Sequence, residues 1–127
     1  MATIYVSKRE GSDSNNGTSK STPVATLPYA FQLAAGSDNT IEVIDSSTYF
    51  PSGTSSPFLP GDNGNGQAWT NLTFKAGTDS DGTQAYPVID GRVNEHSGSS
   101  SRVGNGMRYQ VGWTVEGFEI RGFSDAA

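Results

Sequence analysis

The 127-residue chain contains no cysteine, so it has no disulfide frame, no thiol nucleophile and no cysteine-ligated zinc. Its single histidine, His96, sits in the polar run Asn94-Glu95-His96-Ser97-Gly98, and one histidine cannot build a multi-histidine metal centre. A Ser-His-Asp triad is no better supported, because Ser99-Ser100-Ser101 lacks the turn context of a nucleophilic serine. Charge is scarce at 17%, against about 25% in ordinary globular chains. The balance is acidic, 8 Lys+Arg to 13 Asp+Glu, and no basic stripe exists to displace counterions from phosphate, which argues against a nucleic-acid partner. No apolar run approaches the ~18 residues of a membrane-spanning helix, so no membrane role is expected. Met1-Ala2-Thr3-Ile4-Tyr5 shows no basic stretch leading into an apolar core. No signal peptide is visible, and the chain is expected to act without Sec export or to be a mature or trimmed form.

What replaces charge is uncharged polarity: 17 Ser, 12 Thr and 8 Asn, with 16 Gly. The modest net charge and the supply of aromatics argue for folding, and the length suits one domain. Thr3-Ile4-Tyr5-Val6 reads as a strand, followed by a turn-rich loop over residues 11–23. One helix is predicted over residues 27–35. Thr26 is its N-cap, Pro28 lies in its first turn, Leu27, Ala30, Phe31 and Ala34 form one face, and Gly36 takes the left-handed position at its end. Residues 40–45, 71–77, 87–91 and 113–123 read as strands, the last changing phase at Gly117, where a bulge or corner is expected. The loops over residues 52–67 and 92–106 are long and rich in Ser, Gly and Asn, a length often associated with function.

Four stretches together resemble the N-terminal part of right-handed parallel β-helix proteins, the polysaccharide lyase and tailspike group. Tyr5-Val6-Ser7 with residues 11–18 is similar to that group's opening strand and glycine-rich loop, and residues 23–30 to the helix that caps the coil. Residues 39–43 with Thr48-Tyr49 resemble a first rung; residues 72–76, 88–91 and 115–120 resemble later ones. The resemblance implies an all-β fold: a right-handed parallel β-helix of few rungs, with residues 1–39 forming strand, loop and capping helix and residues 40–127 the rungs. Inward residues would be Ile41, Val43, Leu72, Phe74, Val88, Val115 and Ile120, and the helix would cover the first rung.

Two functions are compatible with that architecture. One is a structural module of a virion or extracellular surface, such as a phage decoration, spike or fibre protein. It would associate with copies of itself, as a trimer, or with a larger assembly protein, through Phe118, Ile120 and Phe123 on an uncapped last rung. The other is the front end of a pectate- or alginate-lyase-like enzyme, in which a Lys or Arg beside calcium-bound carboxylates abstracts a sugar proton. Lys75 and Arg121, with Glu116 and Glu119, are the rung residues of that kind; Arg121 between Glu119 and Asp125 reads equally as a salt-bridge ladder, and no catalytic position transfers by motif. Tyr49, Phe50, Phe58, Trp69, Tyr86 and Tyr109 are candidate glycan or partner contacts, since aromatic faces among short polar side chains suit sugar stacking; the alternative is that they pin loops to the coil. Asp79-Ser80-Asp81-Gly82 resembles the opening of a calcium loop, with Asp79 and Asp81 as ligands. It lacks the closing Glu, the next being Glu95, so a solvated turn is the stronger reading and no cofactor is expected.

Overall fold

Alternation in Thr3-Ile4-Tyr5-Val6 produces β1 (Thr3–Val6), with Ile4 and Val6 buried and Thr3 and Tyr5 half-exposed. The computed structural model describes residues 2–49, 69–90 and 113–121, Arg121 through its backbone alone. After β1 come helix α1 (Leu27–Leu33) and eight further strands: β2 (Gly36–Ser37), β3 (Thr40–Val43), β4 (Thr48–Tyr49), β5 (Trp69–Thr70), β6 (Thr73–Ala76), β7 (Val88–Asp90), β8 (Thr114–Glu116) and β9 (Glu119–Arg121). They form three sheets, ordered β1-β3-β6-β8, β2-β5 and β4-β7-β9, and every pairing between strands is parallel. From β2 onward the chain visits the sheets cyclically: β2, β3, β4, then β5, β6, β7, each new strand adding beside the one laid down a pass earlier.

Corners separate the sheets. Asp38 and Asn71 both adopt left-handed backbone, at φ 62° and 55°, between the first and second sheets visited. Asx residues are the non-glycine types that tolerate this, and Asn71 Nδ2 donates to Asp38 Oδ1 at 3.3 Å. Gly117 makes the expected corner between β8 and β9 with φ 87°, and a Cβ there would stand 2.8 Å from that of Ala76. Among the described residues the only antiparallel pairing is the isolated bridge Thr78–Gln84, inside the turn that follows β6.

The helix is shorter than residues 27–35. Ala34 is already its C-cap, donating to the carbonyls of Ala30 and Phe31, and Asn39 Nδ2 donates to the carbonyls of Ala34 and Ala35 at 2.9 and 3.3 Å. Gly36 does have positive φ, 120°, but stands two residues past the cap, where β2 begins. Thr26 holds the N-cap position without a side-chain cap bond. Its hydroxyl donates instead to Asp13 Oδ2 at 2.6 Å, while Asp13 Oδ1 accepts from the amides of Ala25 and Thr26.

Inside, Ile4, Ile41, Phe74 and Val115 stack in one column of register partners, and Tyr49, Ile89 and Ile120 in another. Ile41, Val43, Leu72 and Phe74 are fully buried as expected, and Val115 and Ile120 pack against the core from partly buried positions. Val88 is corrected: Ile89 is the apolar residue that β7 buries, beside buried Asp90, and Val88 is half-exposed, a one-residue error in a strand of period two. Phe31 lies at the centre of the core, its ring 5.1 Å from that of Phe74, 5.7 Å from Trp113 and 6.3 Å from Trp69.

The first rung, residues 39–43, which the helix was expected to cover, has β1 paired along its strand β3, and covering β1 in turn is divided between two elements. The outer backbone edge of β1 is taken by the loop: Tyr5 N–H donates to Gly17 O, Tyr5 O accepts from Val24, Ser7 N–H donates to Val24 O, and Ser7 O accepts from Gly11, all at 2.7–2.9 Å. Gly11 fits only as glycine, since a Cβ would stand 2.3 Å from the Val24 carbonyl oxygen. The helix covers side chains, and through Phe31 it reaches residues of later strands as well. Replacing Phe31 with Ala removes the ring on which three other aromatics converge. The expected cost is ~3–5 kcal/mol, measured by urea denaturation; a loss below about 1 kcal/mol would place the ring outside the core.

Candidate assembly surface

The registers that bury one face of the large sheet leave an ordered pattern on the other. Thr3, Thr40, Thr73 and Thr114 are successive partners in one column, and Tyr5, Glu42, Lys75 and Glu116 in the next. Strand spacing puts neighbours within a column about 4.8 Å apart, so cross-strand pairs interact directly. Lys75 Nζ lies 3.8 Å from Glu42 Oε1. Above Tyr5, the covering loop supplies Lys20, whose ammonium stands 6.0 Å from the ring centroid and donates to Thr78 Oγ1 at 2.8 Å. From β3 to β8 the second column reads acid, base, acid. Glu116 and Thr114 are exposed.

Burial changes along the stack. Phe74 and Ile89 are fully buried, whereas Trp113, Val115, Phe118 and Ile120, from the last pass, are only partly so. Phe118 stacks on Phe74 with centroids 4.3 Å apart. Of the three residues expected on an assembly surface, Phe118 and Ile120 therefore lie together at this end, and Phe123 is outside the described residues. Arg121 pairs with Asp90 in register.

The aromatic candidates separate. Tyr86 is 72% exposed. Trp69 is buried in β5, and Tyr49 is buried in β4, so neither offers a ring face to a ligand. Phe50, Phe58 and Tyr109 lie outside the described residues. Trp69 Nε1 donates to Phe31 O at 2.7 Å, satisfying a carbonyl in the last helical turn, and Trp113 Nε1 donates to Trp69 O at 2.6 Å. The indoles thus tie successive passes of chain to one another. No periodicity argument reveals this; the spacing of two tryptophans across a long insertion carries no local signal.

Sequence reading also missed a buried polar cluster at the corner between β3 and β4. Asp45 accepts from the Tyr49 hydroxyl at 2.5 Å, from Ser47 Oγ at 2.6 Å and from the Arg9 amide at 3.0 Å. Tyr49 in turn accepts from the Lys8 amide at 3.0 Å, and Lys8 Nζ donates to Thr48 O at 2.8 Å. The cluster clamps the chain leaving β1 to the corner one pass later. Each oxygen is engaged by a fold-closing donor, which describes a fastening rather than a reactive centre.

Asp79 behaves as a turn residue. Its Oδ1 accepts from the amides of Asp81 and Thr83, both at 2.9 Å, and Asp81 is exposed. Among the described residues no three His, Cys, Asp or Glu side chains gather as a metal site, and no helix is long and apolar enough to cross a membrane. Comparison with protein-family models, with curated proteins and with solved structures found no match.

Burial first, then the hydrogen bond and charge of Asp45, raise the Tyr49 phenol above its ordinary value, against a smaller lowering by the Lys8 amide. The folded state therefore holds this proton more tightly than the unfolded chain. Tyr49's contribution is whole below about pH 10 and is lost as pH rises further. In tyrosinate absorbance titrations, the difference between wild type and Tyr49→Phe should develop only together with unfolding; a step near pH 10 in the folded chain would place the phenol in solvent. At neutral pH the same substitution strands Asp45 and the Lys8 amide, an expected loss of about 1–3 kcal/mol in urea denaturation.

Proposed function

We propose that the chain is the closed N-terminal end of a right-handed parallel β-helix and serves as a structural assembly module, of the virion decoration, spike or fibre kind. The cyclic visiting of three parallel sheets supports the coil, and parallel crossovers are overwhelmingly right-handed. The single observation that carries the function is the inequality of the two ends. At β1 the outward backbone groups of Tyr5, and those of Ser7 just beyond the strand, are bonded by the loop from Gly11 to Val24. At the other end β8 and β9 are the outermost described strands of their sheets, over partly buried Phe118 and Ile120. Outermost strands with apolar side chains beneath them pair with other chains unless covered.

The partner is another copy or a larger assembly protein. With the β1 edge covered, copies do not stack β8 on β1 into an open filament, so self-association takes a closed form such as a trimer. Light scattering on the purified chain is expected to show an oligomer. A monomer stable at micromolar concentration, without a partner protein to complete it, would overturn the proposal. The lyase alternative is tested on pectate and alginate panels with added calcium, read as the ultraviolet absorbance of unsaturated sugar ends. No turnover is expected, and turnover abolished by Lys75→Ala or Arg121→Ala would make the chain an enzyme.

A further inference from the structure

The loop that covers β1 places two demands on one peptide link. Gly17 O accepts from the Tyr5 amide at 2.7 Å, with φ at 72° and a Cβ excluded by Ile4 Cγ2, which would stand 2.9 Å from it. Only glycine fits there. The residue before it, Asn16, gathers the loop: its Oδ1 accepts from the Thr18 amide at 3.0 Å and from the hydroxyls of Thr18 and Thr22 at 2.9 and 3.1 Å. Together the two demands write an Asn-Gly step, and that step has a reactivity of its own. A glycine carries no side chain to shield its amide nitrogen from the asparagine side-chain carbon.

We infer that Asn16 is a deamidation site gated by folding: it is kept intact in the folded loop, reacts when the loop opens, and its isoaspartate product cannot rebuild the cover on β1. In the reaction the Gly17 nitrogen attacks Asn16 Cγ. A bond forms between them, the Cγ–Nδ2 bond breaks, and ammonia leaves with the proton of the Gly17 amide. Water then opens the cyclic imide at one carbonyl to give aspartate, or at the other to give isoaspartate. Nothing is oxidised or reduced.

Burial of the side chain is not the guard, since Asn16 is exposed, although Gly17 is buried. Hydrogen bonds are. The Gly17 N–H donates to Thr22 O at 3.0 Å, and three donors hold Asn16 Oδ1, so the nitrogen and the carbon it would attack are both engaged elsewhere. The two products differ in what they can restore. Aspartate keeps an oxygen for the same three donors. Isoaspartate routes the main chain through the former side chain and lengthens it by one methylene. The loop has no slack for that: Asn15 is held to Ser12 O by its amide at 2.9 Å and to Pro23 O by its Nδ2 at 2.8 Å, and Gly17 lies against Ile4. The inference is independent of the assembly reading.

The test incubates the full chain in mildly alkaline buffer, folded or in urea, and follows the reaction by mass spectrometry of tryptic peptides. The peptide Glu10–Lys20 contains this Asn-Gly step and none of those at Asn63, Asn65 and Asn105. Conversion at Asn16 should be at least about tenfold slower in the folded chain, because several hydrogen bonds of ordinary net strength must open together. The double variant Thr18→Val, Thr22→Val removes two of the three donors. It should speed conversion in the folded chain at least about threefold and leave the rate in urea unchanged. After urea is removed, chains with isoaspartate at position 16 should stay unfolded, whereas Asn16→Asp should fold as the wild type does. A folded-to-urea ratio below about tenfold, a double variant no faster than wild type when folded, or refolding of the isoaspartate chains would overturn the inference.

Discussion

Tyr5 and Ser7 turn their backbone N–H and C=O groups away from the rest of the sheet, and the N-terminal third of the chain is arranged to give those groups partners. An outermost strand with free ladder positions would lose hydrogen bonds to burial or recruit another chain. The loop from Gly11 to Val24 meets that demand with its own carbonyls and amides. Asp13 then fixes the exit of the loop to the start of the helix, so the side chain that might have been a simple solvated acid determines where α1 begins. Once the helix is placed, Phe31 has one position available, and the aromatic core forms around it.

The same logic explains why polar residues appear where a hydrophobic core would be simplest. Asp45 is buried, yet its two oxygens accept three donors, from Arg9, Ser47 and Tyr49. A buried carboxylate so provided fixes geometry at modest cost, whereas a half-satisfied one destabilises strongly. Here it carries the joining of two passes past the end of the β1–β3 pairing, into the corner before β4. The indoles of Trp69 and Trp113 do comparable work in the opposite direction, giving N–H groups to the backbone carbonyls of Phe31 in the helix and Trp69 in β5.

Much of the strand content was legible because period two is a strong signal: Ile41 with Val43, and Leu72 with Phe74, point inward as the alternation requires. β7 was misphased because Val88 and Ile89 are adjacent and equally apolar, leaving alternation nothing to distinguish. The short strands β2 and β5 were not read at all; two residues such as Gly36–Ser37 exist as strand only because a partner pass lies alongside. Phe31 was recognisable as core from its helical face, but its aromatic neighbours come from distant segments separated by unequal lengths of chain. The apolar character of the last described pass was legible through Phe118 and Ile120, whereas the charge column was not, because Glu42, Lys75 and Glu116 become neighbours only after the strands are in register. Tyr49 and Trp69 looked like contact residues for the related reason that their flanking polarity hides their burial.

The two outer columns of the large sheet differ in the information they hold. Threonine on threonine is satisfied by any stacking order, so that column cannot detect a mistake. The alternating column can. If a pass were skipped during folding and β3 met β8 directly, Glu42 would oppose Glu116 and the error would be penalised at once; the same slip is silent among the threonines. Sign alternation therefore acts as a parity check on strand order, written on the solvent face of a sheet whose inner column, Ile4, Ile41, Phe74 and Val115, is apolar in every layer.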